Sequence, residues 1–151
     1  MMDKRWLPFL FLPLASVMAG SVAAEQFVVR MGTAADPFRF APEITYIQPH
    51  DTVEFVATDH LHASRSIASM CSGETAWRGQ MGKSVTVTFD QPGIYGFRCD
   101  AHYNMGMVGL IVVGDNPPVS NGMMTMHHPP RAEAEFRRLF DQLAEHEAGN
   151  R

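Results

Sequence analysis

The chain has 151 residues, of which 46% are hydrophobic and 19% charged, with a formal net charge of −4. That length suits one domain with a proper core. The mildly acidic balance and the lack of any basic run exclude a nucleic-acid binder, and no basic amphipathic helix points to a membrane surface.

The first segment reads as a leader. Lys4 and Arg5 form a positive n-region, Trp6 to Val17 an apolar run, and Val22-Ala23-Ala24 a small-residue cleavage site. Residues 1–24 are therefore expected to be a signal peptide, with cleavage after Ala24 and a mature chain from Glu25. Losing Asp3, Lys4 and Arg5 removes a charge of +1 and leaves −5. A membrane anchor is the competing reading, but Pro8, Pro13 and Gly20 interrupt the apolar run. An exported protein with two cysteines would ordinarily suggest a disulfide.

From Glu25 the chain reads as short strands. Glu25 to Gly32 carries Phe27, Val28 and Val29, and Thr33 to Pro42 is a turn-rich stretch with Phe38 and Phe40. Ile44 to Ile47 is a second strand. Asp51 to Ala57 alternates Val53, Phe55 and Ala57 against Thr52, Glu54 and Val56, and Ser84 to Phe89 alternates Val85, Val87 and Phe89. Ser66 to Met70 is a further strand, followed by a polar connection holding Trp77. Strands at this spacing with no helix between them predict an all-β fold, a Greek-key antiparallel β-sandwich over residues 25–115. Residues 116–151 form a C-terminal helical extension. Pro129-Pro130 opens its helix, which runs to about Glu147 and packs Phe136, Leu139, Phe140 and Leu143 on the sandwich. Arg137, Arg138, Asp141 and Glu145 are expected on the outer face.

Chemistry concentrates between Gly93 and Gly114, where two strand-like runs flank Cys99, His102, Met105 and Met107. A thiolate is a soft, strong donor, imidazole suits copper or zinc, and a thioether is useful chiefly to a soft metal such as Cu(I). One Cys, one His and one Met form the ligand set of a type 1 copper centre that lacks a second His. Met107 gives Cys-x2-His-x4-Met and Met105 gives Cys-x2-His-x2-Met; spacing alone does not choose. The missing imidazole is expected in Val56 to His62, where His60 and His62 lie two apart and local chemistry cannot separate them. Pairing Cys71 with Cys99 would consume the thiolate, so Cys71 is read as a buried free thiol.

The run Pro92-Gly-Ile-Tyr-Gly, then Cys99, then His102-Tyr-Asn-Met-Gly-Met107-Val-Gly resembles the ligand loop of the pseudoazurins, bacterial members of the cupredoxins. The resemblance implies that Met107, the second Met of Met-x-Met, is the axial ligand. The family pattern Thr-Asp-x-x-His falls on Thr58, Asp59 and His62, which selects His62. The implied metal set is His62, Cys99, His102 and Met107 around one type 1 copper ion. Ala63 stands where the family usually has an Asn that ties the two ligand loops, so a less rigid loop is expected.

The ligand set and the resemblance together imply a monomeric periplasmic one-electron carrier and not an enzyme, since four protein ligands leave no open metal position. By resemblance the electron passes at the edge of His102, through an apolar patch for which Met105, Ala101 and Phe38 are candidates. Its partners would be transient redox proteins, a c-type cytochrome and a reductase such as copper nitrite reductase. Many relatives ring this patch with lysines; here the mature chain carries only Lys83. An alternative is copper storage or delivery, because Gly122 to His128 clusters Met123, Met124, Met126, His127 and His128. That run also reads as a connection whose methionines fill gaps on the sandwich.

Overall fold

A computed structural model of the chain describes residues 23–73, 75–115, 117, 119 and 121–149. The expected leader, up to residue 22, lies outside the described residues. Eight strands form two four-stranded sheets: β1 (Gln26–Met31), β2 (Phe40–Ala41), β3 (Ile44–Ile47), β4 (Thr52–Ala57), β5 (Ser64–Cys71), β6 (Val85–Thr88), β7 (Gly93–Cys99) and β8 (Val108–Val113). One sheet has the order β2-β1-β4-β6 and the other β3-β8-β7-β5. A 310 turn (Tyr103–Met105) and two α-helices, α1 (Asn121–Met124) and α2 (Pro130–Gly149), complete the described elements.

The expected sandwich with a helical extension is present, but its sheets are mixed. β1 runs parallel to β4 from Gln26↔Thr52 to Met31↔Ala57, and β3 runs parallel to β8. Parallel neighbours need a crossover, which is most often a helix. Here β3, seated in the opposite sheet, serves as the crossover between β1 and β4, so the lack of a helix in the sequence did not force antiparallel pairing. Asp51, nearly fully buried, accepts the backbone N–H of Glu25 at 2.8 Å and of Gln48 at 2.7 Å. That carboxylate ties the starts of β1 and β4 together.

β7 and β8 are buried along almost their whole length, as strands covered on both faces must be. Their alternate residues serve two cores. Tyr95, Phe97, Cys99, Ile111 and Val113 join Val29, Val53 and Phe55 between the sheets. Ile94, Val108, Leu110 and Val112 face outward and meet Ala132, Phe136, Leu139, Phe140 and Leu143 of α2. Between them Gly109 leaves room for a close approach: a Cβ there would stand 2.3 Å from the ring of Phe97. The polar connection after β5 is also structural. Trp77 stacks on Phe55 at 5.3 Å, and Ser66 donates its N–H to the carbonyl of Trp77 at 3.1 Å, covering the outer edge of β5. Between Ser66 and Cys71 the pairing of β5 with β7 is irregular. Cys71 is a free thiol as expected, but half-buried rather than buried, and the burial it has pushes its pKa up to about 11.

On α2, Arg137, Asp141 and Glu145 face solvent as expected, but Arg138 turns to the sandwich. Its Nη2 meets Glu43 at 2.7 Å and its Nε meets Glu135 at 2.8 Å. Arg39 completes a four-membered network, reaching Glu43 at 2.6 Å and Glu135 at 2.9 Å. The hydrogen bond from Arg39, seconded by Arg138, holds the Glu135 carboxyl below its usual pKa.

Leu139→Ala, which opens a fully buried position under α2, should destabilise the fold by about 2–5 kcal/mol in denaturant titration. Because the folded pKa of Glu135 lies below its unfolded value, its contribution is complete above about pH 4.5. It should fade as pH falls through the lower folded value, and Glu135→Gln should flatten that part of the stability–pH curve.

Candidate metal centre

The order of the second sheet creates the site. β5 lies beside β7, with Ser64 opposite Cys99, so the segment leading into β5 meets the end of β7. β7 and β8 form a hairpin whose connection, residues 100–107, carries a single 310 turn at Tyr103–Met105. The N–H of Cys99 donates to the carbonyl of Met107 at 3.0 Å and closes that connection at its base. Inside it, Met105 and Met107 donate to the carbonyl of His102 at 2.9 and 3.2 Å. Gly106 ends the turn at φ +90°, a left-handed conformation that suits glycine, and a Cβ there would press on Glu135 at 3.1 Å.

These constraints bring Cys99, His102 and His62 together. Cys99 Sγ lies 3.7 Å from His102 Nδ1. One ion at typical first-row bond lengths of roughly 2.3 Å to sulfur and 2.0 Å to nitrogen spans that gap at about a trigonal angle. The ring of His62 lies 4.8 Å from that of His102. Cys99 and Met107 are fully buried in the same inter-sheet core, and His62 is 1% exposed. Burial and the neighbouring His62 push the pKa of His102 below its usual value, so its imidazole is a neutral donor at neutral pH.

His62 is held from outside. Asp59 Oδ1 accepts hydrogen bonds from His62 Nδ1 at 2.7 Å and from the N–H of Leu61 at 2.7 Å. The Leu61 bond, followed by that of His62, keeps the Asp59 carboxyl below its ordinary pKa. A carboxylate behind an imidazole is the usual way to fix the orientation of a metal-ligating histidine. His62 Nε2 is buried with no hydrogen-bond partner. A buried, unpaired nitrogen costs about 1–3 kcal/mol unless something is meant to fill its place. Among the described residues no three His, Cys, Asp or Glu side chains are drawn into one tight metal-binding group. The fit therefore rests on the Cys99–His102 pair, the adjoining His62 and a thioether.

The residues that spacing left open differ in their burial. Met107 is fully buried beside Cys99, whereas Met105 sits on the 310 turn and is 42% exposed. His62 is inside and His60 outside. Phe38 meets the His102 ring edge-on at 4.9 Å, and Met105, Ala101 and Leu61, close in sequence to His102 or His62, are exposed apolar residues. The Ser64 hydroxyl accepts the indole N–H of Trp77 at 2.9 Å, so it binds the core and does not stand in for the tether that Ala63 lacks.

Charged and aromatic contacts surround the site. Asp100 faces Arg98, Arg65 and Arg78 at 3.4, 3.6 and 3.9 Å, which leaves that flank with a net positive charge. The guanidinium of Arg98 lies 4.5 Å over the ring of Tyr103. Tyr103 Oη in turn hydrogen-bonds His128 Nδ1. Two thioethers of the C-terminal run are packing groups: Met123 is buried and Met126 half-buried against the cluster that includes α2.

Comparison with known proteins agrees with this geometry. Residues 27–114 match the family model for copper-binding proteins of the plastocyanin/azurin family. A pseudoazurin from Methylorubrum extorquens is 30% identical over 135 residues, covering 87% of this chain and 91% of the relative. One from Paracoccus pantotrophus is 35% identical over 107 residues, covering 70% and 72%. Among solved structures, a Sinorhizobium pseudoazurin superposes with a TM-score of 0.73 at 32% identity, covering 79% of this chain and 96% of its own. The mixed sandwich, the copper-compatible donors at its end and these matches lead to one conclusion: the chain belongs to the plastocyanin/azurin family of copper-binding proteins, and within it to the pseudoazurins.

Proposed function

We propose that this protein is a periplasmic one-electron carrier whose single type 1 copper ion is held by His62, Cys99, His102 and Met107. The observation that carries the reading is the 3.7 Å approach of Cys99 Sγ to His102 Nδ1, beside a buried His62 that has an unpaired nitrogen. When bound, copper would supply a one-electron couple, and the thiolate of Cys99, the imidazoles of His62 and His102 and the thioether of Met107 would suit both of its oxidation states. Cys99, Met107 and His62 are all buried, so the chain itself keeps water and substrates away from the donor atoms. Asp59 fixes one ring, and the 310 turn fixes the other. Rigid donors of this kind leave little to rearrange as charge comes and goes.

The route to the outside is the ring of His102, half-buried beneath Phe38. A small apolar surface suits the brief, weakly held encounters of redox proteins. The arginines around Asp100 favour a partner that is acidic at the matching edge and steer its approach. A c-type cytochrome and a reductase are the partners proposed, with nitrite reductase as one candidate among the reductases. Export rests on the N-terminal leader with cleavage after Ala24, and the domain plan is 25–115 for the copper domain and 116–151 for the extension. No helix among the described residues is long and apolar enough to cross a membrane. Packing of Met123 and Met126, rather than display, favours a carrier over a copper store.

Copper-loaded, oxidised protein should show strong thiolate-to-copper absorption and bind one ion per chain. Cys99→Ser should abolish those bands; their survival, or uptake of several ions by the wild type, would overturn the reading. Met107→Leu should raise the reduction potential measured by voltammetry, while Met105→Leu leaves it nearly unchanged. The reverse ranking would move the axial role to Met105.

A further inference from the structure

The C-terminal run before α2 ends on His128, whose ring does more than fill space. Its Nδ1 hydrogen-bonds the hydroxyl of Tyr103, and its face lies 4.7 Å from Phe136 of α2. Its Nε2 is buried without a partner, so the bond to Tyr103 is the one hydrogen bond of that ring among the described residues. Tyr103 directly follows His102 and begins the 310 turn. The Arg98 guanidinium lies over a face of its ring at 4.5 Å, so the side chain is held at its hydroxyl by His128 and over its ring by Arg98. The same turn meets α2 again where Gly106 passes the backbone carbonyl of Arg131 and the side chain of Glu135.

We propose that His128 is a positioning residue for the metal loop: through Tyr103 it locks the 310 turn that aims His102 at Cys99. This rests on His102 being a copper ligand. The loop lacks the side-chain tether that an Asn at position 63 would give, and Ser64 is occupied by Trp77. The restraint comes from the other side, from the C-terminal extension. His102 is fixed only as well as the turn that comes after it, because the N–H groups of Met105 and Met107 both bond its carbonyl. Fixing Tyr103 therefore fixes the backbone of His102, and with it the ring.

The test is a double-mutant cycle of His128→Phe and Tyr103→Phe, each of which keeps a ring and removes the hydrogen bond. In metal-free protein, the amides of Met105 and Gly106 should exchange with deuterium up to about tenfold faster in either variant, in line with the loss of one hydrogen bond. In copper-loaded protein, each variant should change the ratio of the thiolate absorption bands and hasten copper loss to a chelator by roughly tenfold. The double variant should do no more than either single one. Lower thermal stability with unchanged loop exchange, band ratio and copper loss would overturn the proposal, as would effects that simply add. The Tyr103 hydroxyl also meets Arg98, so Tyr103→Phe is always read against a His128 variant, and His128→Leu takes the place of His128→Phe should the latter fold poorly. Wild-type protein without thiolate bands would instead sink the assignment of the ligands, while the exchange data still report on the clamp.

Discussion

The hydrogen bond from the N–H of Cys99 to the carbonyl of Met107 makes the rest of the site possible. It fixes the width of the β7–β8 connection, so that a thiol at one foot and a thioether at the other enter the same dry core. Between those two feet only residues 100–106 remain to turn the chain and present an imidazole. A 310 turn ended by a left-handed glycine does this compactly, with poorer hydrogen-bond geometry than an α-helix would have. Such a turn needs support from its neighbours. α2 and Arg98 stand where that support is required.

The two-faced burial of β7 and β8 separates two tasks. The face toward the first sheet contains Cys99 and Met107 and belongs to the sandwich core. The opposite face belongs to α2. The thiol and the thioether are thus anchored in one core, while the loop between them leans on the other. The Arg39–Glu43–Glu135–Arg138 network stitches the helix to the sandwich beside this loop. Exposed ion pairs contribute little one at a time, but a linked set with bidentate arginines fixes geometry better than isolated pairs do.

Much of this was legible in the sequence where the controlling information is local. Cys99, His102 and Met107 lie close together in the chain, and their chemistry is diagnostic of a soft metal. The alternation of Val53 and Phe55, and the helical spacing of Phe136, Leu139, Phe140 and Leu143, report burial directly. What stayed hidden depended on partners distant in the chain. Arg138 looks like an outer-face residue because Glu43, which draws it inward, is 95 positions away. His60 and His62 would point the same way in an extended segment. In fact Asp59 folds the backbone by accepting the N–H of Leu61, so the two rings part. Parallel pairing leaves no local sign because a strand in the opposite sheet, not a helix, makes the crossover. The 310 turn and the two-residue β2 are too short to carry a periodic signal.

The margins of the two sheets bear on how such a molecule behaves at high concentration. β2 has two residues, β3 and β6 four each, and the longer β5 is irregular and covered by the stretch around Trp77. Long, flat, uncovered margins invite neighbouring copies to add on strand by strand, and short or bent ones deny them a template. The sandwich therefore exposes little backbone to self-recruitment, and its apolar surface around His102 is left free for visitors that come and go.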